Sequence, residues 1–439
     1  MESEVVPGGT RKGRPRAERP PAAEEVRRLA LECGADDAAC VSLDLPALAE
    51  ERSFARRALP GALSAVALVL RMNRSNIRTP ERATANLEFH QVGDEVNAVA
   101  RRLVAALERR GVRALNPPMG FPMQMERFPG RIWTVSHKTI AVAAGLGRMG
   151  VHRNLIHPRF GNFILLGTVL TDLGMGAEAV PMDWNPCVEC KLCVAACPVG
   201  AIADDGAFEF QACYTHNYRE FMGGFTHWVE GIAESRDARS YRRRTSDADS
   251  ASMWQSLSFG ANYKAAYCLA VCPAGEDVIA PYARDRKRFL DDVLRPLREK
   301  EEDVYVIPES DAEEHVRRRF PAKRVKRVSS GLRPRTVDHF LNGLPHVFQR
   351  GRAGDLDAVY EFTFTGAEER VATVVISEGR VEVREGPPPR ADLAVRADRD
   401  TWMECLAGER SLLLALLRRR IRIRGPLRLM RAFARCFPS

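Results

Sequence analysis

The sequence predicts a multidomain protein in which an α/β region is followed by an α+β region. Its 439 residues suit two or three domains of about 150 residues each. Apolar runs alternate with helical patterns in the first third, seven of the eleven cysteines lie between Cys187 and Cys272, and a strand-rich pattern begins after residue 335. With 45% hydrophobic and 28% charged residues, the composition is that of a folded protein rather than a disordered or fibrous one.

The N-terminal part divides into a polar tail and an α/β cofactor domain. Residues 1–22 are rich in Pro, Gly and Arg, so we expect a disordered tail that lacks the apolar core of a secretory signal. This indicates a cytoplasmic protein. Residues 23–180 follow the α/β pattern, with a long helix expected at 86–110 and buried strands at 64–70 and 163–170. No apolar run reaches the ~18 residues of a membrane span, so we expect no transmembrane segment.

Residues 181–300 carry the strongest motif and predict a ferredoxin-type domain. Cys187, Cys190, Cys193 and Cys197 are spaced x2, x2 and x3 and are followed by Pro198, which is the run that wraps a [4Fe–4S] cluster. In a reducing compartment clustered cysteines indicate metal binding more often than disulfides. A zinc site is the alternative, but zinc prefers two separated ligand pairs.

A second half-motif consists of Cys213 and then Cys268-x3-Cys272 before a proline. In two-cluster proteins the last cysteine of each run ligates the other cluster. The crossed pattern therefore assigns Cys187, Cys190, Cys193 and Cys272 to cluster one, and Cys197, Cys213 and Cys268 to cluster two. The second set is one ligand short, because Ala265 stands where another cysteine is expected. Four alternatives stay open: a non-cysteine ligand such as His216, a [3Fe–4S] cluster, an iron open to water or substrate, or a single cluster.

A glycine loop lies upstream of the cysteines. Gly145, Gly147 and Gly150 fit G-x-G-x-x-G, and Asp172 follows about twenty residues later, as in dinucleotide sites. Pro158 comes too soon for the helix that such a site requires. The loop is therefore interpreted as a tight turn beside a cofactor rather than as a nicotinamide site.

The remaining segments are polar or basic until the C-terminal domain. The stretch 230–262 is either a solvated loop or a lid, and 301–334 is expected to be a basic linker. Residues 335–439 predict an α+β module in which the leucines of 412–417 and Phe433 belong to the core.

The runs 144–156 and 160–172, followed by the two cysteine motifs, resemble the epoxyqueuosine reductase and reductive dehalogenase superfamily over about residues 23–300. The resemblance implies a nitroreductase-like α/β domain that binds cobalamin, with the glycine loop as a wall of the cofactor cavity. It also implies a ferredoxin-type domain whose two clusters pass electrons from an external ferredoxin- or flavodoxin-type donor to cobalt.

The chain departs from this family at the general acid. The family has an aspartate upstream of a Glu-Arg pair; here the aspartate position falls near Arg131 and His137-Lys138 replaces the pair. No carboxylate lies between Pro129 and Gly150. His137 is the candidate catalytic proton donor because histidine titrates near neutral pH, and a structural histidine at a helix start is the alternative.

Segments 337–348, 391–402 and 421–425 resemble, in this order, the sterol carrier protein type two fold, which implies an apolar tunnel. The whole sequence is interpreted as an iron–sulfur reductase that relays electrons through two clusters to cobalamin and reduces a small-molecule or lipid-like substrate. The alternative is a ferredoxin-type electron-transfer protein without cobalamin, coupled to a lipid-binding domain. The basic stretches lack interleaved aromatic residues, which argues against a nucleic-acid partner, and a transfer RNA substrate rests on family analogy alone.

Overall fold

The computed structural model describes residues 21–175, 180–185, 187 and 190–438. The predicted tail at 1–22 lies outside the described residues except for its last two positions. The elements of the first region are α1 (Ala23–Glu32), β1 (Asp37–Ser42), α2 (Ala49–Ala58), β2 (Ser64–Arg71), α3 (Arg74–Arg78), α4 (Arg82–Glu108), β3 (Ala114–Leu115), α5 (His137–Ala143), β4 (Arg148–Met149), β5 (Leu155–Ile156) and β6 (Ile164–Thr171).

A four-stranded sheet in the order β1–β2–β6–β3 forms the centre of this region. All its pairs are antiparallel, and Val66 of β2 lies opposite Val169 of β6. Side chains alternate along β2: Val66 and Leu68 pack with α1 and α4, whereas Ala67 and Val69 pack with α2 and α5. Because helices cover both faces of the sheet, the sequence of β2 is a continuous apolar run.

The cysteine-containing region is helical. Its elements are α6 (Leu192–Ala196), α7 (Phe210–His216), α8 (Gly223–Ala233), α9 (Ala238–Arg244), α10 (Asp247–Phe259), α11 (Tyr267–Ala270), α12 (Ala280–Arg284), α13 (Arg286–Phe289), a π-helical turn (Leu290–Leu294) and α14 (Arg295–Glu299). The stretch 230–262, for which a solvated loop or a lid is predicted, contains the end of α8 and all of α9 and α10. Capping boxes at Asp237 and Ser246 start the last two helices.

The expected basic linker at 301–334 is wrong, because this segment folds. It contains β7 (Asp303–Val306), α15 (Asp311–Arg319) and β8 (Arg324–Arg327), and the two strands pair in parallel. Val304, Val306, Val316 and Phe320 form an apolar cluster with the cysteine region. The high count of basic residues that suggested a linker reflects a largely exposed surface over this small core.

The C-terminal module has its own sheet and core. Its elements are α16 (Val337–Val347), α17 (Arg350–Ala353), β9 (Ala358–Thr365), β10 (Arg370–Ser377), β11 (Arg380–Glu385), β12 (Leu393–Asp398), α18 (Arg399–Leu406), α19 (Leu412–Leu417), β13 (Ile421–Arg424) and α20 (Leu427–Cys436). The strand order is β11–β10–β9–β12–β13, with β9 and β12 parallel. Phe433 is buried with Phe362 and Trp402, as predicted. The core expectation for 412–417 is wrong, since Leu413 and Leu417 are 66% and 71% exposed.

The module contacts the cysteine region through a polar joint. Gln349 Nε2 donates to Gln211 Oε1 at 3.3 Å, and the Gly351 N–H donates to Asp311 Oδ2 at 2.6 Å. Glu209 lies beside Asp311, and burial followed by the Asp311 charge raises the pKa of Glu209 to about 8. Burial also raises the pKa of Asp311. The contact between the two carboxyl groups therefore favours the protonated form of one of them.

The predicted mixed architecture is confirmed: an α/β region, a helical cysteine region and an α+β module follow one another. In the described part of the chain, no helix combines the length and the apolar character needed to cross a bilayer.

Candidate iron–sulfur site

The first set of thiols consists of Cys187, Cys190, Cys193 and Cys272. Burial raises the pKa of Cys272 to about 12, and the neighbouring Cys190 and Cys187 raise it further. Burial likewise raises the pKa of Cys193, with Cys268, Cys272 and Cys190 as further causes. Thiols in such surroundings ionise when a cation binds them, because a metal stabilises the thiolate form.

The second set consists of Cys197, Cys213 and Cys268. Burial raises the pKa of Cys213 well above its usual value, and the thiols of Cys197 and Cys268 raise it further. Burial and Cys197 raise the pKa of Cys268 to about 12. The Lys138 ammonium acts on both Cys213 and Cys268 in the opposite direction. Cys268 of the second set raises the pKa of Cys193 of the first set, so the two sets adjoin.

The division into two sets follows the crossed ferredoxin pattern, and both this assignment and metal ligation stay predictions. The donors fit iron–sulfur clusters. Backbone N–H groups point at the sulfurs: Val151 N donates to Cys187 Sγ at 3.4 Å, and Ala201 N donates to Cys197 Sγ at 3.3 Å. Such N–H···S bonds tune cluster potentials. Within the described ranges no three His, Cys, Asp or Glu side chains form a single-ion site, and a cluster differs because each of its irons takes its own thiolate.

The two cysteine motifs share one backbone turn. Lys191 precedes α6 with φ 49° and ψ 22°, and Ala266 precedes α11 with φ 53° and ψ 26°. Left-handed conformations of this kind are uncommon outside glycine, so the coincidence marks a repeated structure. Cys193 and Cys268 each follow two residues later. Ala265 thereby occupies in the second motif the place that Cys190 occupies in the first.

His137, predicted as the catalytic proton donor, is engaged by the protein itself. Its Nδ1 lies 2.8 Å from Thr168 Oγ1, and its Nε2 lies 2.9 Å from Pro118 O. A carbonyl can only accept, so Nε2 carries the proton and Nδ1 accepts from the threonine hydroxyl. Burial lowers the pKa of His137. With both ring nitrogens hydrogen-bonded within the protein, the geometry favours the structural alternative, and the catalytic role stays a prediction.

The predicted cofactor-binding glycines pack against the chain itself. Gly145 has φ 77°, and a Cβ there would lie 2.9 Å from Val180 O. A Cβ on Gly147 would collide with the carbonyl oxygen of Ile156, and one on Gly150 would collide with side chains. The short strand β4, not a helix, follows Gly147. Close backbone approaches explain the first two glycines, and side-chain contacts explain the third, while a role in cofactor binding stays a prediction.

Comparisons with known proteins agree with the cysteine geometry. The 4Fe-4S binding domain model matches residues 180–203, and the SCP-2 sterol transfer family model matches residues 342–438. An epoxyqueuosine reductase of Gloeobacter violaceus is 26% identical over 162 residues, covering 37% of this chain and 48% of that protein. One from Pseudomonas aeruginosa is 25% identical over 179 residues, covering 39% and 47%.

The chain joins an epoxyqueuosine-reductase-like iron–sulfur region to a sterol-carrier-like module. These alignments span about half the length of the curated relatives. A solved epoxyqueuosine reductase from Streptococcus thermophilus aligns with a TM-score of 0.33 at 16% identity, covering 46% of this chain and 61% of that chain.

Two residues of the reductase-like region were missed as site residues by the sequence reasoning. Lys138 Nζ donates to Arg153 O and to Asn154 Oδ1, both at 2.8 Å, beside the second set of thiols. Tyr218 lies near Cys213 and Cys268; burial is the first cause that raises its pKa well above the usual value. Lys138 had a signal, since it belongs to the pair that replaces Glu-Arg, whereas no motif marks Tyr218.

Proposed function

We propose that the chain is an iron–sulfur oxidoreductase that passes electrons one at a time through two adjoining clusters. One observation carries this proposal: seven thiols are all buried or half-buried, and Cys193 is influenced by Cys268 as well as by Cys272 and Cys190. Cys193 and Cys197 lie one helical turn apart at α6 and belong to different sets. A single short element therefore links the two clusters, which favours transfer between them.

The charge distribution supports a direction for this transfer. Lys138 is half-buried next to the second set, and a half-buried cation acts more strongly than an exposed one because water screens it less. A positive charge stabilises the reduced, more negative cluster and raises its potential. Electrons that enter at the first cluster would then run downhill to the second, toward Lys138 and Tyr218.

The resemblance implies cobalamin as the electron acceptor. At the three glycines expected to border it, the space that a Cβ would take is occupied by Val180, Ile156 and neighbouring side chains, and we route no step through cobalamin. The identity of the electron acceptor is tested by adding a corrinoid to the protein.

For the substrate, two classes are proposed for testing. The relatives are named for epoxyqueuosine, which is therefore the first compound to assay.

The second class is an apolar molecule with one polar group, carried by the C-terminal module. Trp402 is 4% exposed among Phe340, Phe362 and Phe364, and its Nε1–H has no hydrogen-bond partner among the described residues. A buried donor of this kind costs free energy unless a ligand accepts from it. A Trp402→Phe variant should therefore bind a fluorescent fatty acid more weakly than wild type, whereas equal affinity would remove this class.

The relay is tested by comparing two buried cysteines. Cys193→Ala removes a ligand from the first set, whereas Cys40→Ala changes a buried cysteine beside Ala23, far from both sets in sequence. After anaerobic reconstitution we expect Cys193→Ala to lose roughly half of the iron, one cluster of two, and Cys40→Ala to keep it. Equal iron in the two variants would contradict the proposal.

Added hydroxocobalamin that binds with a base-off spectrum makes cobalamin the acceptor, and absence of binding favours the electron-transfer alternative.

A further inference from the structure

We infer that the second cluster has one iron without a ligand among the described residues, an exchangeable iron whose fourth position takes a small exogenous donor such as a thiolate or water. The inference comes from the juxtaposition of two equivalent turns, one with Cys190 and one with Ala265. It rests on the two clusters of the proposed function, and the experiment below separates a failure of either.

The turn at Ala265 keeps its shape without a thiol because other groups hold it. The N–H groups of Ala265 and Ala266 donate to Asn217 Oδ1 at 3.0 and 2.7 Å, and the carbonyl of Ala265 accepts from Arg82 Nη2 at 2.8 Å. In the first motif the corresponding helix start instead directs the Leu192 N–H at the Cys190 thiol. The backbone at Ala265 therefore keeps the conformation of a ligand position, but the side chain there has no sulfur.

Asn217 connects this turn to the second set of thiols. It caps the end of α7, and its N–H donates to Cys213 O at 2.7 Å, one helical turn away. The Asn217 side chain thus holds Ala265 on the side of the protein where Cys213 lies. Ala265 is 4% exposed, so its methyl group is enclosed within the protein rather than turned to solvent.

His216 is the side chain most suited to replace the missing cysteine, and its hydrogen bond argues against it. His216 Nδ1 accepts from the Tyr305 N–H at 3.4 Å, so the neutral ring carries its proton on Nε2. Iron ligation through Nε2 would require the proton on Nδ1, where it would face the Tyr305 N–H, donor against donor. The buried Nε2–H, which has no partner among the described residues, is instead oriented to donate.

The chemical consequence is loss of one iron on mild oxidation. Ferricyanide takes one electron from a [4Fe–4S]²⁺ cluster and becomes ferrocyanide. The resulting [4Fe–4S]³⁺ cluster releases Fe²⁺ from the position without a thiolate and leaves [3Fe–4S]⁺, so iron and charge balance. The first cluster has four thiolates and keeps its irons under the same treatment.

The experiment treats reconstituted full-length protein with one equivalent of ferricyanide and measures released Fe²⁺ with a chelator and [3Fe–4S]⁺ by electron paramagnetic resonance. Wild type should release about one iron per chain and give the three-iron signal, while Ala265→Cys should give neither. His216→Asn and Tyr218→Phe should behave as wild type. The inference is overturned by an unchanged signal in Ala265→Cys, by protection in wild type, or by a new labile iron in either of the other two variants.

The mirror variant Cys190→Ala places the same vacancy in the first cluster. With two equivalents of ferricyanide, one electron for each cluster, it should release twice the iron that wild type releases under the same treatment. If this variant does not load, the comparison of wild type with Ala265→Cys still decides the inference. A total of about four irons per chain before oxidation would sink the two-cluster proposal itself. About eight irons with no labile iron would overturn the open-iron inference alone.

Discussion

Lys323 provides the sharpest test of how the folded segment 303–327 supports the cluster region. Its side chain is fully buried and donates to Leu297 O at 3.0 Å, Lys300 O at 3.2 Å and Glu302 Oε1 at 2.7 Å. The Tyr267 hydroxyl, one residue before a cluster cysteine, donates to both oxygens of Glu302 at 2.7 and 2.8 Å. Lys323→Met keeps the length of the side chain and leaves the Glu302 carboxylate without its cation. Breaking a buried pair in this way should cost about 3–5 kcal/mol.

The matched control is the next residue. Arg324 pairs with Asp303 at 2.8 Å, but its side chain is 63% exposed, and exposed pairs contribute about 0–1 kcal/mol. Urea unfolding of both variants with equal iron content measures the difference, and Lys323→Met combined with Glu302→Gln should recover part of the loss. Equal destabilisation by Lys323→Met and Arg324→Met would refute the claim that a buried pair anchors this segment.

Three further predictions concern titration, hydrogen bonding and redox potential. The folded-state pKa of Glu209, about 8, lies above the unfolded value of about 4.3. The Glu209 contribution to stability is therefore full below pH about 4.3 and is lost progressively as pH rises to about 8. Glu209→Gln should flatten the pH dependence of the melting temperature over this window, and an unchanged slope would contradict this. His137→Asn should lower the free energy of unfolding by about 1–3 kcal/mol without changing turnover per folded molecule, whereas lost turnover at full stability would restore a catalytic role. Lys138→Met should lower the potential of the second cluster and not of the first in a potentiometric titration, and a shift of both or neither would contradict the proposed direction.

The cysteine arrangement could be predicted from the sequence because cluster geometry dictates ligand spacing. Crossed assignment of Cys197 and Cys272 needed only the two x3-Cys-Pro endings, and the gap at Ala265 followed from counting. The role of Asn217 could not be predicted, because the amides it contacts, at residues 265 and 266, lie 48 and 49 residues further along the chain.

The fold of segment 301–334 and the contacts of His137 could not be predicted from local sequence patterns. Strands β7 and β8 have four residues each, too short for a periodic signal against a basic background. The two partners of His137, Pro118 and Thr168, lie 19 and 31 residues away, so no local pattern could reveal that both ring nitrogens are occupied. In the C-terminal module the exposed leucines of α19 were assigned to the core because hydrophobicity alone does not report burial.

The central claim is that two adjoining clusters are held by Cys193, Cys268 and the five other cysteines of the two sets. Electron paramagnetic resonance of the fully reduced, anaerobically prepared protein, with iron and sulfide counted on the same sample, tests it most directly. We expect about seven or eight irons per chain, as two clusters require, and a spectrum broadened by magnetic interaction between two neighbouring clusters. About four irons and the spectrum of one isolated cluster would contradict the account.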